Sequence, residues 1–165
     1  MDAYPAASWA PAFSAIASSS AALTGLLFVA LSINLSQVIK GPGLIDRAIE
    51  VLLLLVSALI VSTLLLMPNQ PVGGAASEVI SVAVAAVILL TIIHVRAPRH
   101  VLGISRTNFA LRVVFAQMGP LLLLIGGVTL LVAGGGGLYW VVPGLIVAMV
   151  SAIVGAWVML VEIVR

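Results

Sequence analysis

The stretch Val113–Val161, VVFAQMGPLLLLIGGVTLLVAGGGGLYWVVPGLIVAMVSAIVGAWVMLV, contains no Asp, Glu, Lys, Arg or His. Its 49 residues are too many for one membrane-crossing helix, which takes roughly 20 apolar residues, and suit two. The run Gly134-Gly135-Gly136-Gly137 falls between the halves and supplies the turn, since clustered glycines punctuate regular structure. Upstream, Val51–Ser77 holds 27 uncharged residues. They accommodate one crossing that ends near Met67, followed by the loop Pro68-Asn69-Gln70-Pro71-Val72-Gly73-Gly74. A third apolar stretch runs over 75–95. Ala3–Ile39 is also uncharged, over 37 residues. Two crossings and a turn need more than about 40, so this stretch predicts one long helix with a short segment before it. The expected fold is all-α: a polytopic membrane bundle in one domain over 1–165, with five transmembrane helices at about 11–39, 45–67, 75–95, 107–133 and 139–163.

Composition agrees with that class. The chain is 165 residues long, 63% hydrophobic and only 7% charged, with a mean hydropathy of +1.34. Soluble domains are about 25% charged, and disordered chains need high charge with few apolar side chains. Neither description fits. With no cysteine, disulfides, thiolate metal sites and cysteine nucleophiles are excluded. A net charge of +2 is too small for a nucleic-acid surface, so no nucleic-acid partner is expected.

The basic residues test the count of crossings. They are Lys40, Arg47, Arg96, Arg99, Arg106, Arg112 and Arg165. With five crossings they collect in or beside the first loop, the third loop and the C-terminal tail, all on one side. The positive-inside rule then puts the N-terminus outside and the C-terminus in the cytoplasm. Tyr4, Trp9, Tyr139 and Trp140 fall at the outer interface, where aromatic anchors collect. The N-terminus lacks the basic start of a signal peptide; its first charge is Asp2. Six Arg against one Lys, with much Ala, Val and Gly, suggest a GC-rich bacterial genome. The expected location is therefore the bacterial plasma (inner) membrane, as a multi-pass protein.

The first predicted helix carries two polar or small stripes. At 100° per residue, Ala17, Ser20, Thr24, Leu27, Leu31, Asn34 and Val38 share one line. Ser14, Ser18, Ala21, Gly25, Ser32 and Ser36 share a second, roughly 130° away. Small residues let helices approach closely and hydroxyls bond within or between helices, so packing is the plain reading, above all for the second stripe. The sharper reading makes the first line a pore wall: Ser20, Thr24 and Asn34 face water, and Leu27 and Leu31 form a constriction that gates by dewetting.

Elsewhere the functional and structural readings compete at single residues. Asp46 and Glu50 read as acids that complement a helix start, with Arg47 and Glu50 as an i,i+3 pair. Glu78 is a further first-turn acid, or a carboxylate ring at the outer mouth of an oligomer. Gly119 and Pro120 mark a kink or hinge in the fourth helix, with Gln117 as a local partner for the freed backbone carbonyl. Arg96, Arg99, His100, Arg106 and Arg112 form a basic cluster on the cytoplasmic side. It holds its loop inside, and its partners would be anionic lipid headgroups. His94 and His100, with Pro98 between, lack the three ligands a zinc site usually needs, so no metal and no cofactor is expected.

Ionisable residues are missing from the middle of every predicted span, where pumps and coupled transporters usually place them. No serine–histidine pair or zinc motif marks an intramembrane protease. An enzyme is not expected. Two classes remain. One is a homo-oligomeric channel or passive permeation protein lined by the first helix. The other is a non-catalytic accessory or scaffold subunit of a larger membrane complex, built on the same small-residue seams.

Overall fold

The computed structural model describes residues 6–96 and 106–164. A short 3-10 turn, Ala6–Trp9, leads into α1 (Ala10–Ile33). The other helices are α2 (Leu35–Lys40), α3 (Leu44–Leu64), α4 (Val72–Arg96), α5 (Arg106–Ala133) and α6 (Leu138–Val164). The described residues contain no strand. Four helices, α1, α4, α5 and α6, are long and apolar enough to cross a membrane. Helix α3 differs in kind. It carries Asp46, Arg47 and Glu50 in its first two turns and buries ten of its 21 residues.

Expected and observed helices differ at two places. The stretch expected as one helix over 11–39 divides at Asn34, whose backbone (φ −103°, ψ 17°) leaves helical geometry. Asparagine suits the spot, because its side chain competes for backbone partners. Here the Asn34 amide donates to the Ala30 carbonyl at 2.9 Å. Gly73 and Gly74, expected in the loop, lie in the first turn of α4. The Ala75 N–H donates to the Pro71 carbonyl at 3.1 Å, so the proline closes the helix start. At the other end of the bundle, Gly43 takes a left-handed φ of 77° and starts α3 in a conformation a side chain would strain.

The inward faces follow coiled-coil spacing. Helix α5 buries Ala116, Gly119, Leu123, Gly126 and Leu130, alternating steps of three and four. Helix α4 buries Ala76, Val79, Ala83, Ala86, Leu90 and His94. Helix α3 has two inward stripes, Leu44–Ala48–Val51–Leu55–Ala58–Ser62 and Glu50–Leu54–Ser57–Val61. A helix with two buried stripes belongs at the centre, and α3 touches α1, α4, α5 and α6. The 3.5-residue period is the seam of left-handed helix packing.

Lipid tails are as apolar as leucine, so close packing rather than water exclusion holds such a bundle. The closest approach joins α5 to α6. A Cβ placed on Gly119 would lie 2.8 Å from the backbone N and Cα of Ala148. Pro120, one residue on, is fully buried, and α5 continues through it to Ala133.

Side-chain contacts fix the sense of the helices. Trp9 stacks edge-on against Tyr139 with ring centroids 5.0 Å apart, so α1 and α6 start at one end. Glu50, His94 and Arg112 meet at the other, which brings together the starts of α3 and α5 and the end of α4. Lys40, Arg47 and Arg96 lie on helix ends of that same basic pole.

Candidate functional site: a buried charge cluster and its cleft

Glu50, His94 and Arg112 are the last members of inward stripes on α3, α4 and α5. Glu50 follows from the spacing of Leu54, Ser57 and Val61. His94 stands four residues beyond Leu90, and Arg112 four before Ala116. The packing pattern that buries alanines and leucines therefore carries three ionisable groups to a common point. Glu50 is 6% exposed and His94 5%; the Arg112 side chain is 14% exposed.

The carboxylate is the hub. Arg112 Nε donates to Glu50 Oε2 at 3.0 Å, and Arg112 Nη2 donates to the same oxygen. His94 Nε2 lies 3.4 Å from it. The imidazole packs edge-on to Phe109, centroids 6.3 Å apart, and its two nitrogens make no hydrogen bond among the described residues. An isolated buried charge costs several kcal/mol, whereas charge-assisted bonds to a planar guanidinium offset much of that cost. The carboxylate thus ties α3 to α5, with the His94 imidazole of α4 packed beside it.

Beside it opens a cleft of about 550 Å³ between α3, α5 and α6. Arg47, Glu50, Asn108 and Arg112 stand at its charged end; Phe115, Val154 and Val158 are among its apolar walls. Ser151 on α6 donates to the Phe115 carbonyl at 2.9 Å across the far end. No group of three or more His, Asp or Glu among the described residues could hold a metal.

The proposed pore line of α1 lies against the rest of the bundle. Ser20 is 0% exposed and Leu27 6%; Thr24, Leu31 and Asn34 are half-buried. Their polar groups bond within α1: Ser20 to the Ile16 carbonyl at 2.7 Å, Thr24 to the Ser20 carbonyl at 2.7 Å, Asn34 to Ala30. The second stripe, Ser14, Ser18, Ala21, Gly25, Ser32 and Ser36, is exposed throughout.

Other candidate residues have ordinary neighbours. Glu78 accepts a hydrogen bond from Gln70 Nε2 at 2.6 Å and is half-buried on α4. Gly119 is buried in the α5–α6 seam against Ala148, and Pro120 is buried beside it. Gln117 does not serve the carbonyl freed by Pro120: it donates to Thr91 Oγ1 at 3.0 Å and bridges α5 to α4. Arg96 is exposed at the end of α4, and Arg106 is the first residue of α5. Arg99 and His100 lie outside the described residues.

Sequence reasoning assigned Glu50 to a helix dipole and Arg112 to headgroups, and missed that each is the other's partner. A signal was available. Each is the seventh residue of its helix, about 9 Å in at 1.5 Å per residue. That is beyond the first turn, where dipole effects fade. No family model, no curated protein and no solved structure matches this chain, so its geometry alone carries the functional reading.

Proposed function

We propose that this chain is a non-catalytic membrane subunit that works by lateral assembly, with copies of itself or with partner membrane subunits. In this reading it crosses five times, α3 included, with the N-terminus outside and the C-terminus in the cytoplasm of a bacterium. The observation that carries it is the two-sided α1. One face packs on α3; another, roughly 130° round the helix, presents Ser14, Ser18, Ala21, Gly25 and Ser32, continued by Ser36 on α2, with none of the described residues burying them. Small residues exposed along a membrane helix are what a neighbouring helix packs against, and a symmetric oligomer is the simplest source of that neighbour.

A second reading is a passive channel, favoured by the four serines of the exposed stripe. Around a symmetry axis their hydroxyls would line water. A path along Ser20, Thr24, Leu27, Leu31 and Asn34 would require α1 to part from α3; a path along the outer stripe would not.

The chain has no cysteine, which makes the test direct. Ser18→Cys and Gly25→Cys should cross-link in intact membranes, and Leu26→Cys, on an exposed apolar position of a different face, should not. Equal cross-linking at all three would count against a specific interface. Ion flux into liposomes, read on wild type and Ser18→Leu, then separates channel from scaffold. No flux from folded, inserted protein would remove the channel.

A further inference from the structure

The cleft between α3, α5 and α6 changes in polarity along its depth. Two contacts fix how α6 runs against α5: Ser151 donates to the Phe115 carbonyl, and Gly119 packs on Ala148. The helices are antiparallel, so Val154 stands at the level of Arg112 and Val158 at that of Asn108. Asn108 and Arg112 are one turn apart on the same face of α5, and both line the cleft. The bonds to Glu50 engage two N–H donors of Arg112, out of five. Its Nη1 amino group has no partner among the described residues. Depth gives these donors a meaning. Helix α5 has 28 residues, about 42 Å, which matches a hydrocarbon core of about 30 Å with an interfacial layer of about 6 Å on each side. Asn108 lies about 3 Å from the start of α5 and Arg112 about 9 Å. The two residues bracket the border where the apolar region begins. The ester linkages of a membrane lipid, which join chain to glycerol, lie at that border.

We infer that the α3–α5–α6 cleft binds one ester-linked membrane lipid, an ester carbonyl accepting from the Arg112 guanidinium and the attached acyl chain running inward over Val154 and Phe115. An ester carbonyl only accepts, and a charged donor makes the stronger kind of hydrogen bond. Depth decides which lipid oxygen Arg112 meets: a phosphate belongs to the layer around and outside Asn108, and the carbonyl stands a turn further in. The walls suit the chain. Val154 and Phe115 are large, apolar and exposed, and the Ser151 hydroxyl at the inner end is committed to a backbone carbonyl. Recognition of the linkage does not depend on the charge of the headgroup. It is also independent of lateral assembly, since it uses α5 and α6 rather than the exposed stripe of α1.

The test uses the full chain in vesicles of equal diester and diether phosphatidylcholine with the same chain length. These lipids share a headgroup and differ in their carbonyls. Native mass spectrometry weighs the lipid that stays bound after gentle extraction. Wild type should retain diester over diether about tenfold, the lower end of what a hydrogen bond to a charged group contributes. Exchanging both for the matching phosphatidylglycerols should leave that ratio unchanged. Glu50→Leu with Arg112→Leu should bring the ratio to one. Val154→Trp, which fills the wall at an exposed position and leaves every polar group in place, should abolish retention; it carries the test if the double variant does not fold. Gln37→Leu, which removes an exposed amide at the same pole outside the cleft, should keep both the lipid and the ratio. Four results overturn the inference: equal retention of the two lipids by wild type, a diester preference that persists in the folded double variant, a preference seen with one headgroup only, or undiminished retention in Val154→Trp. The first denies recognition of the carbonyl, the second takes it away from Arg112, the third assigns it to the headgroup, and the fourth places the lipid outside the cleft.

Discussion

Two polar regions of this molecule solve the same problem in opposite ways. The buried line of α1 contains hydroxyls and an amide, and each bonds a carbonyl of its own helix. The Glu50 cluster contains charges, and its bonds run between helices, over 62 residues of sequence. A serine or threonine in a helix reaches the carbonyl four residues back; a carboxylate, which only accepts, finds no free donor in a helix interior. Self-sufficient groups can sit on a buried face without specifying what covers it. A carboxylate must recruit a donor from another helix, so a single Glu specifies which elements meet. Polar periodicity is thus a weak guide to a pore wall, and an isolated charge two turns into a helix is a strong guide to tertiary contact.

The sharpest way to break this contrast is Arg112→Leu. It leaves Glu50 buried without its guanidinium and should cost about 3–5 kcal/mol, read by reversible unfolding in mixed micelles. The double substitution Glu50→Leu with Arg112→Leu should recover most of that, since an apolar pair of similar volume is often as stable as the ion pair. A harmless single substitution would mean that the cluster does not bind the helices together. Next in size, Gly119→Leu tests the close approach that needs no polar group. Its side chain would meet the Ala148 backbone, and overpacking of this kind costs about 1–3 kcal/mol, measured in the same assay.

Smaller effects are expected on α1. Ser20→Ala and Asn34→Leu should each shift stability by less than about 1 kcal/mol, because they remove bonds made inside one helix. A larger loss at Asn34 would show that its amide also fixes the α1–α2 junction. Smallest of all, Ser18→Leu should leave the monomer's unfolding within about 0.5 kcal/mol of wild type, as an exposed position. Its effect should fall on assembly instead, as lost cross-linking at Gly25→Cys.

Much of the fold was legible in the sequence because apolar run length and charge position are one-dimensional signals. The bounds of α5 and α6, and the end of α4, follow from them. The break at Asn34 was not legible, since an amide mid-run does not announce whether it bonds forward, backward or across. The central place of α3 was half-legible: its two stripes can be read from Leu44 to Ser62, but a Leu- and Val-rich helix reads equally well as lipid-facing. At the site, every residue type was noticed and their grouping was not. Glu50, His94 and Arg112 lie on three helices, and only the relative rotation of those helices brings them to one point. The stripes of alanine, glycine and leucine that set this rotation contained the answer, had the charged residues been counted as members of them.

The 62-residue interval between Glu50 and Arg112 also has a meaning in time. A ribosome adding roughly 5–20 residues per second delivers the arginine about 3–12 s after the glutamate. Through that interval α3 has left the ribosome with its carboxylate and without the guanidinium that accompanies it in the finished bundle. Biogenesis of this protein therefore depends on somewhere for α3 to wait, at the headgroup level or against the insertion machinery, until α5 arrives. The segment made second is the one that settles late, and a delay in synthesis between Val72 and Arg106 would prolong its exposure to the quality-control proteases of the membrane.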